Sequence, residues 1–104
     1  MIKIKSERTK ALMISKEVKQ KVWERDNHRC IFCGRYCDIG LANSHYIKRS
    51  HGGLGIEENI MTNCLECHFM FDDTPMRKYM LQRAKDYLSS KYENWNEEDL
   101  VYKK

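Results

Sequence analysis

The chain predicts one small α+β domain, with helices towards both ends, a short strand and loops between them, and a metal holding the middle together. Three observations predict this. Apolar residues recur at helical spacing in the first third and the last third, while the centre is broken by three glycines in four residues. At 104 residues, with a third of them charged, the chain is too short and too polar to build a generous hydrophobic core. Five cysteines are present, four of them arranged as two C-x-x-C pairs, and a domain of this size and polarity usually needs such a staple.

The elements follow in order. Residues 1–13 form a basic arm, expected to be loosely held and flexible. Residues 14–92 form the folded unit, and 93–104 a C-terminal tail that packs back or meets a partner. A helix starts after Ser15, whose hydroxyl caps it; Glu17 suits its positive end, and Ile14, Val18 and Val22 line one side with Trp23 beside them. It ends near "RDNHR", where Asp26 and Asn27 favour a turn. "CIFCGRYC" reads as a cysteine knuckle, with Gly34 supplying the tight backbone after the second cysteine. "IGLANSHYIKR" carries a short strand, and "SHGGLG" reads as a flexible loop. Asn63 is placed to cap a short helix through "LECHFMFD". Pro75 opens another, whose stripe of Met76, Tyr79, Met80, Ala84, Tyr87 and Leu88 reads as core packing.

Charge is distributed unevenly. Residues 1–29 hold nine Lys or Arg against four acidic residues, while the remainder is near balance with ten against eleven. A basic segment on a neutral body suits a polyanion such as nucleic acid, and equally a solvated terminus. No apolar run is long enough to cross a membrane or serve as a signal peptide, which points to the cytoplasm. In that reducing compartment paired cysteines bind metal more often than they form disulfides.

Cys30 and Cys33 form one C-x-x-C and Cys64 and Cys67 the other. Two residues between ligands let one knuckle turn both sulfurs inward, and two knuckles complete a tetrahedron around a structural Zn²⁺. The 31-residue step from Cys33 to Cys64 exceeds the usual ribbon spacing, so an extra element must bulge out between them. Cys37 is left as a free thiol. "CLECH" also satisfies the c-type haem pattern C-x-x-C-H, but that reading needs an exported chain and leaves Cys30 and Cys33 unexplained. A disulfide framework fails on compartment and on the odd cysteine count.

With the cysteines assigned, His68 and Asp72 remain. On a helix they stand at i and i+4 and project from one face, an imidazole and a carboxylate suited to a divalent cation or to a simple surface hydrogen bond. The series "C-x-x-C … S-H-Y-I-K-R-S-H-G-G … E-N-I … N-C-L-E-C-H" resembles the HNH endonuclease family, in its small zinc-stapled form common in phages and bacteria. The resemblance spans residues 15–73, including the approach "VKQKVWERDNHRCIFCG". It implies a ββα-metal (His-Me finger) fold, a hairpin and a helix around one catalytic ion. His45, Asn59 and His68 stand as the letters H, N and H, with Asp72 one helical turn on.

The resemblance implies metal-dependent hydrolysis of DNA phosphodiester bonds. His45 would activate water, and Asn59 would hold the loop that orients it through amide bonds to backbone. His68 and Asp72 would hold Mg²⁺ or a transition-metal ion. Lys48 and Arg49, beside His45, are expected to contact phosphates. Any sequence preference would be modest or supplied by a partner protein. One departure stands out: where the family often has Asp or His before the base histidine, this chain has Ser44, a poor ligand, with His51 as a candidate replacement. Ser44 favours a rival, a zinc-stapled nucleic-acid-binding module without catalysis. A structural zinc domain that docks on protein is a third expectation.

Overall fold

A computed structural model describes residues 6–40 and 43–103. Four α-helices are present: α1 (Glu7–Leu12), α2 (Lys16–Arg25), α3 (Leu65–Asp73) and α4 (Arg77–Lys91). Strands β1 (Asn43–His45) and β2 (Ile60–Thr62) pair antiparallel, with Ser44 opposite Met61 and His45 opposite Ile60. This is a small α+β fold with a two-stranded sheet. None of its helices is long and apolar enough to cross a membrane.

Local chemistry explains most boundaries. Ser15 Oγ accepts the Val18 N–H at 3.2 Å and starts α2, which ends at Asp26. Asn27 and His28 then take left-handed backbone angles, and the His28 ring stacks on Trp23 with centroids 3.6 Å apart. The chain turns there into the first cysteine knuckle. Helix α3 is capped by Cys64, whose sulfur accepts the Cys67 N–H, and not by Asn63 as expected. Pro75 does not open α4 directly: a turn intervenes, Met76 is the capping residue and Arg77 the first helical one.

The core lies between the sheet, α3 and α4. Phe71 is fully buried, 6.0 Å from the ring of Phe32 and capped by the Arg77 guanidinium at 4.6 Å. Burial of such a ring contributes on the order of 1.5–3 kcal/mol. Met80, Ala84 and Leu88 of α4 face this core, spaced four apart as one helical row. Met76 and Tyr79, expected in the same stripe, are exposed.

Both chain ends differ from expectation. Residues 7–12 of the expected loose arm form a helix, capped by Ser6 and anchored by the buried Leu12; residues 1–5 lie outside the described region. The apolar side of Leu12 supplies the free energy that a purely basic arm lacks. The C-terminal segment packs back: Leu100 is buried, its carbonyl accepts the Leu54 N–H, and Val101 bridges Gly53.

The glycine segment also differs. Gly53 and Gly55 are buried between other strands of backbone, where a Cβ would come within 1.7 Å of the Ile47 carbonyl oxygen and 2.0 Å of the Met13 carbonyl oxygen, respectively. These glycines permit close approach and do not confer looseness.

Candidate functional site

The four sulfurs of Cys30, Cys33, Cys64 and Cys67 lie within 4.8 Å of one another. They are positioned to hold a metal ion. Four ligands at about 2.3 Å in a tetrahedron would lie about 3.8 Å apart, and Cys33 and Cys64 are separated by 3.6 Å, so the set fits zinc. Each knuckle is built by its own backbone. The N–H groups of Phe32 and Cys33 point at Cys30 Sγ, both at 3.4 Å, and Cys67 N–H points at Cys64 Sγ at the same distance. Gly34, at φ 77°, closes the first turn, and Ile31 N–H bonds to the Thr62 carbonyl, tying the knuckle to β2.

Burial pushes the Cys67 thiol up, and hydrogen bonds from its cysteine neighbours add to the effect. A cation would reverse that preference by favouring thiolates, so metal uptake must release protons. Cys37 stays outside the cluster, buried, its thiol facing the Arg35 carbonyl at 3.5 Å and raised to about 11 chiefly by burial.

The element that bulges out between the knuckles is the β1–β2 hairpin with its long connection. Between β1 and α3 opens a cavity of about 410 Å³, lined by His45, Lys48, Arg49, His68 and Asp72 together with Asn43, Ser44 and Ser50. Residues from 45 to 72 thus meet on one surface. His68 Nδ1 and Asp72 Oδ2 are 3.5 Å apart, both partly exposed. Among the described residues, only the cysteines bring three or more His, Cys, Asp or Glu ligand atoms so close together; His45 does not close up on the His68–Asp72 pair.

His45 is oriented from an unexpected quarter. Its Nε2 lies 2.8 Å from the carbonyl oxygen of Leu12, at the end of α1. A carbonyl only accepts, so Nε2 carries the proton, and in the neutral ring Nδ1 keeps the lone pair. Burial, reinforced by the Arg49 charge and opposed by the Leu12 bond, lowers the His45 pKa below its ordinary 6.5. Burial and the Arg49 charge both favour the neutral ring, with its proton on Nε2. Leu12 is held there because Gly55 N–H bonds to the Ala11 carbonyl and Gly55 has no side chain to push Met13 away.

Asn59 is fully buried and does not line the cavity. Its Oδ1 accepts the Ile47 N–H at 2.8 Å, and its Nδ2 donates to the carbonyls of Leu54 (2.8 Å) and Ile47 (3.2 Å). It is a positioning residue, clasping the two ends of the connection that follows His45. Ser44 is buried and committed: its hydroxyl accepts from Asn63 Nδ2 at 2.9 Å. His51 is exposed in a 3-10 turn and does not line the cavity, so it is no replacement ligand here.

One polar centre was missed in the sequence, where Asp26 reads only as a turn former. Asp26 takes two hydrogen bonds from Arg25 (2.7 and 2.9 Å), one from Thr62 N–H (2.9 Å) and one from Tyr87 OH (2.5 Å). Arg25 in turn reaches the carbonyls of Glu57 and Ile60 and the hydroxyl of Tyr92. This buried ion pair joins α2, β2 and α4, and no local pattern announces partners 36 and 61 positions away. Compared with protein-family models, curated proteins and solved structures, the chain matches none.

Proposed function

We propose that the protein is a metal-dependent endonuclease cleaving DNA phosphodiester bonds, with a zinc-stapled ββα-metal core of the HNH kind. The observation that carries this reading is the shared cavity: a histidine held through its Nε2, two cations and an imidazole–carboxylate pair line one cavity between β1 and α3. Phosphodiester hydrolysis asks for those groups, a base for water, positive charge for the phosphate and ligands for a divalent ion.

The His68–Asp72 pair suits such an ion. Two ligands at right angles, each about 2.1 Å from Mg²⁺, lie about 3 Å apart, close to the 3.5 Å between Nδ1 and Oδ2. The remaining positions would be left to water and phosphate, as in sites that act on substrates. When bound, the ion supplies polarisation of the phosphate and neutralises the leaving oxygen. His45 Nδ1 takes the proton of the attacking water, while Leu12 stabilises the ring from the far side once it becomes cationic. Lys48 and Arg49, which line the same cavity, would bind the phosphate. Cys30, Cys33, Cys64 and Cys67 would hold Zn²⁺ and so fix where α3 begins.

Supercoiled plasmid with Mg²⁺, Mn²⁺ or Ni²⁺, against EDTA, tests the reading. His45→Ala should lower the nicking rate by ~10²–10⁴-fold while leaving zinc content and DNA binding intact. His68→Ala should regain part of its activity as the ion concentration rises. Nicking by His45→Ala at the parental rate would overturn the proposal. A second reading has its own support: Ser44 is engaged by Asn63, leaving two evident ion ligands, which suits a DNA-binding module without catalysis. Salt-dependent DNA binding without ion-dependent nicking would favour it.

A further inference from the structure

Helix α3 carries more than the ion ligands. Leu65 and Phe69, at 66% and 62% exposure, are the two most exposed large hydrophobic side chains among the described residues, and they stand one turn apart on this helix. At about 100° per residue, Leu65, His68, Phe69 and Asp72 share one arc of about 100°, opposite the buried Cys67 and Phe71. His68 and Asp72 line the cavity; Leu65 and Phe69 continue the same helix surface past its rim. The Phe69 ring has no ring contact among the described residues.

We propose that Phe69, backed by Leu65, is a stacking surface for a nucleobase next to the phosphate held in the cavity, so that the favoured DNA has that base unpaired or unstacked. The inference rests on the endonuclease reading and adds a substrate class to it. Each base has an apolar π-face, and an exposed aromatic ring beside a cationic phosphate site matches it. Phe69 directly follows His68 on α3, which itself lines the cavity. In an intact duplex both faces of every internal base are covered by its neighbours. A mismatch, a bulge or a single-stranded junction frees a face without that cost.

Other occupants fit less well. Two side chains of this kind present a few hundred Å² at most, against about 800 Å² per partner in a stable protein interface. The cavity that the same helix face enters is lined by Lys48 and Arg49, two cations that suit a phosphate of a polyanion.

The test uses the zinc-loaded full chain in a buffer that keeps zinc but has no other divalent ion. Fluorescence anisotropy compares an intact duplex with the same duplex carrying one central unpaired 2-aminopurine. The parent should bind the unpaired site more tightly and quench the 2-aminopurine on stacking. Phe69→Ala should lose roughly 5- to 100-fold in affinity for the unpaired site, with little change on intact duplex, and Phe69→Trp should retain it. Because Phe69 is exposed, these variants should keep the parental zinc content and fold. Equal affinities of Phe69→Ala and parent on both DNAs, with the parent nicking plasmid in a separate assay with added Mg²⁺, would sink this inference and leave the endonuclease reading standing. If the parent binds neither DNA, both readings fall together. Light scattering that finds a dimeric parent and a monomeric Phe69→Ala would also overturn it, by making the pair a contact between copies of the chain.

Discussion

The two candidate metal positions, both reached from α3, are built on opposite principles. At the cysteine cluster three of four ligands are buried, and backbone N–H groups already point at the sulfurs. The pair His68 and Asp72 is partly exposed, carries two evident ligands and opens on a cavity. Closed sites of four protein ligands stabilise folds, whereas sites that act on substrates keep positions open. The difference teaches where stability and activity should separate: damage at the cysteines should reach the cavity through α3, and damage at the cavity should leave the cysteines untouched.

The largest effect should come from breaking the closed site. Apparent zinc-binding energies of about 10–16 kcal/mol match or exceed the whole stability of a small domain. Cys64→Ser, or chelation of the metal, should therefore unfold the chain, seen as loss of helical circular dichroism together with about one zinc per chain. Cys37→Ser should keep both. A folded, zinc-free Cys64→Ser protein would break the comparison at its root.

Next in size is the buried ion pair that braces both regions. Asp26→Ala leaves Arg25 without its carboxylate and Thr62 N–H without an acceptor, and should cost about 3–5 kcal/mol in urea unfolding of the zinc-loaded protein. A loss below about 1 kcal/mol would mean that water or Tyr92 replaces the carboxylate.

A smaller and more selective effect is expected on the open side. Gly55→Ala places a methyl against the Met13 carbonyl, which must shift and carry Leu12 off His45 Nε2. Displacements on that scale cost up to about 10²-fold in rate. Nicking should fall while zinc content holds, and ¹⁵N NMR of His45 should change from one tautomer to a mixture. An unchanged tautomer would show that α1 does not orient the base. The same geometry revises the role of the N-terminal segment: deleting residues 1–13 would remove a support of His45 as well as positive charge.

The smallest effect is a displacement along the pH axis. Burial lowers the His45 pKa below 6.5, so the folded chain binds its proton less readily than the unfolded chain. The neutral ring then persists below pH 6.5, and if His45 is the proposed base the acid limb of kcat/KM for nicking should lie below that value. The matching stability is fully present above pH 6.5 and is lost as pH falls from there through the lowered folded value. An NMR titration of His45 with a midpoint above 6.5 would contradict both statements.

Particular residues show how much of this was legible in the linear chain. Ser15 as a helix cap, Gly34 at a tight turn and the two C-x-x-C pairs act over two to four positions, where backbone geometry leaves few options. Asn63 was misread as the cap of α3 because an amide competes well for that position in isolation. In the fold its Nδ2 donates to Ser44, 19 residues earlier, its Oδ1 has no hydrogen-bond partner among the described residues, and the Cys64 sulfur caps the helix. The glycines at 53 and 55 looked like a source of flexibility, since sequence alone does not reveal which backbone passes beside them.

The ligand chemistry is written in the linear chain: four cysteines in two knuckles, an imidazole and a carboxylate one helical turn apart, and a central segment too rich in glycine for a regular element. Those follow from residue type and short spacing. Only the tertiary structure decided that α1 holds His45 through the Leu12 carbonyl, that Asn59 clasps a connection instead of facing the cavity, and that Asp26 joins three elements. Each of these depends on contacts between segments far apart in the chain, and such contacts are set by how apolar faces pack, those of Leu12, Phe71 and Leu100 among them.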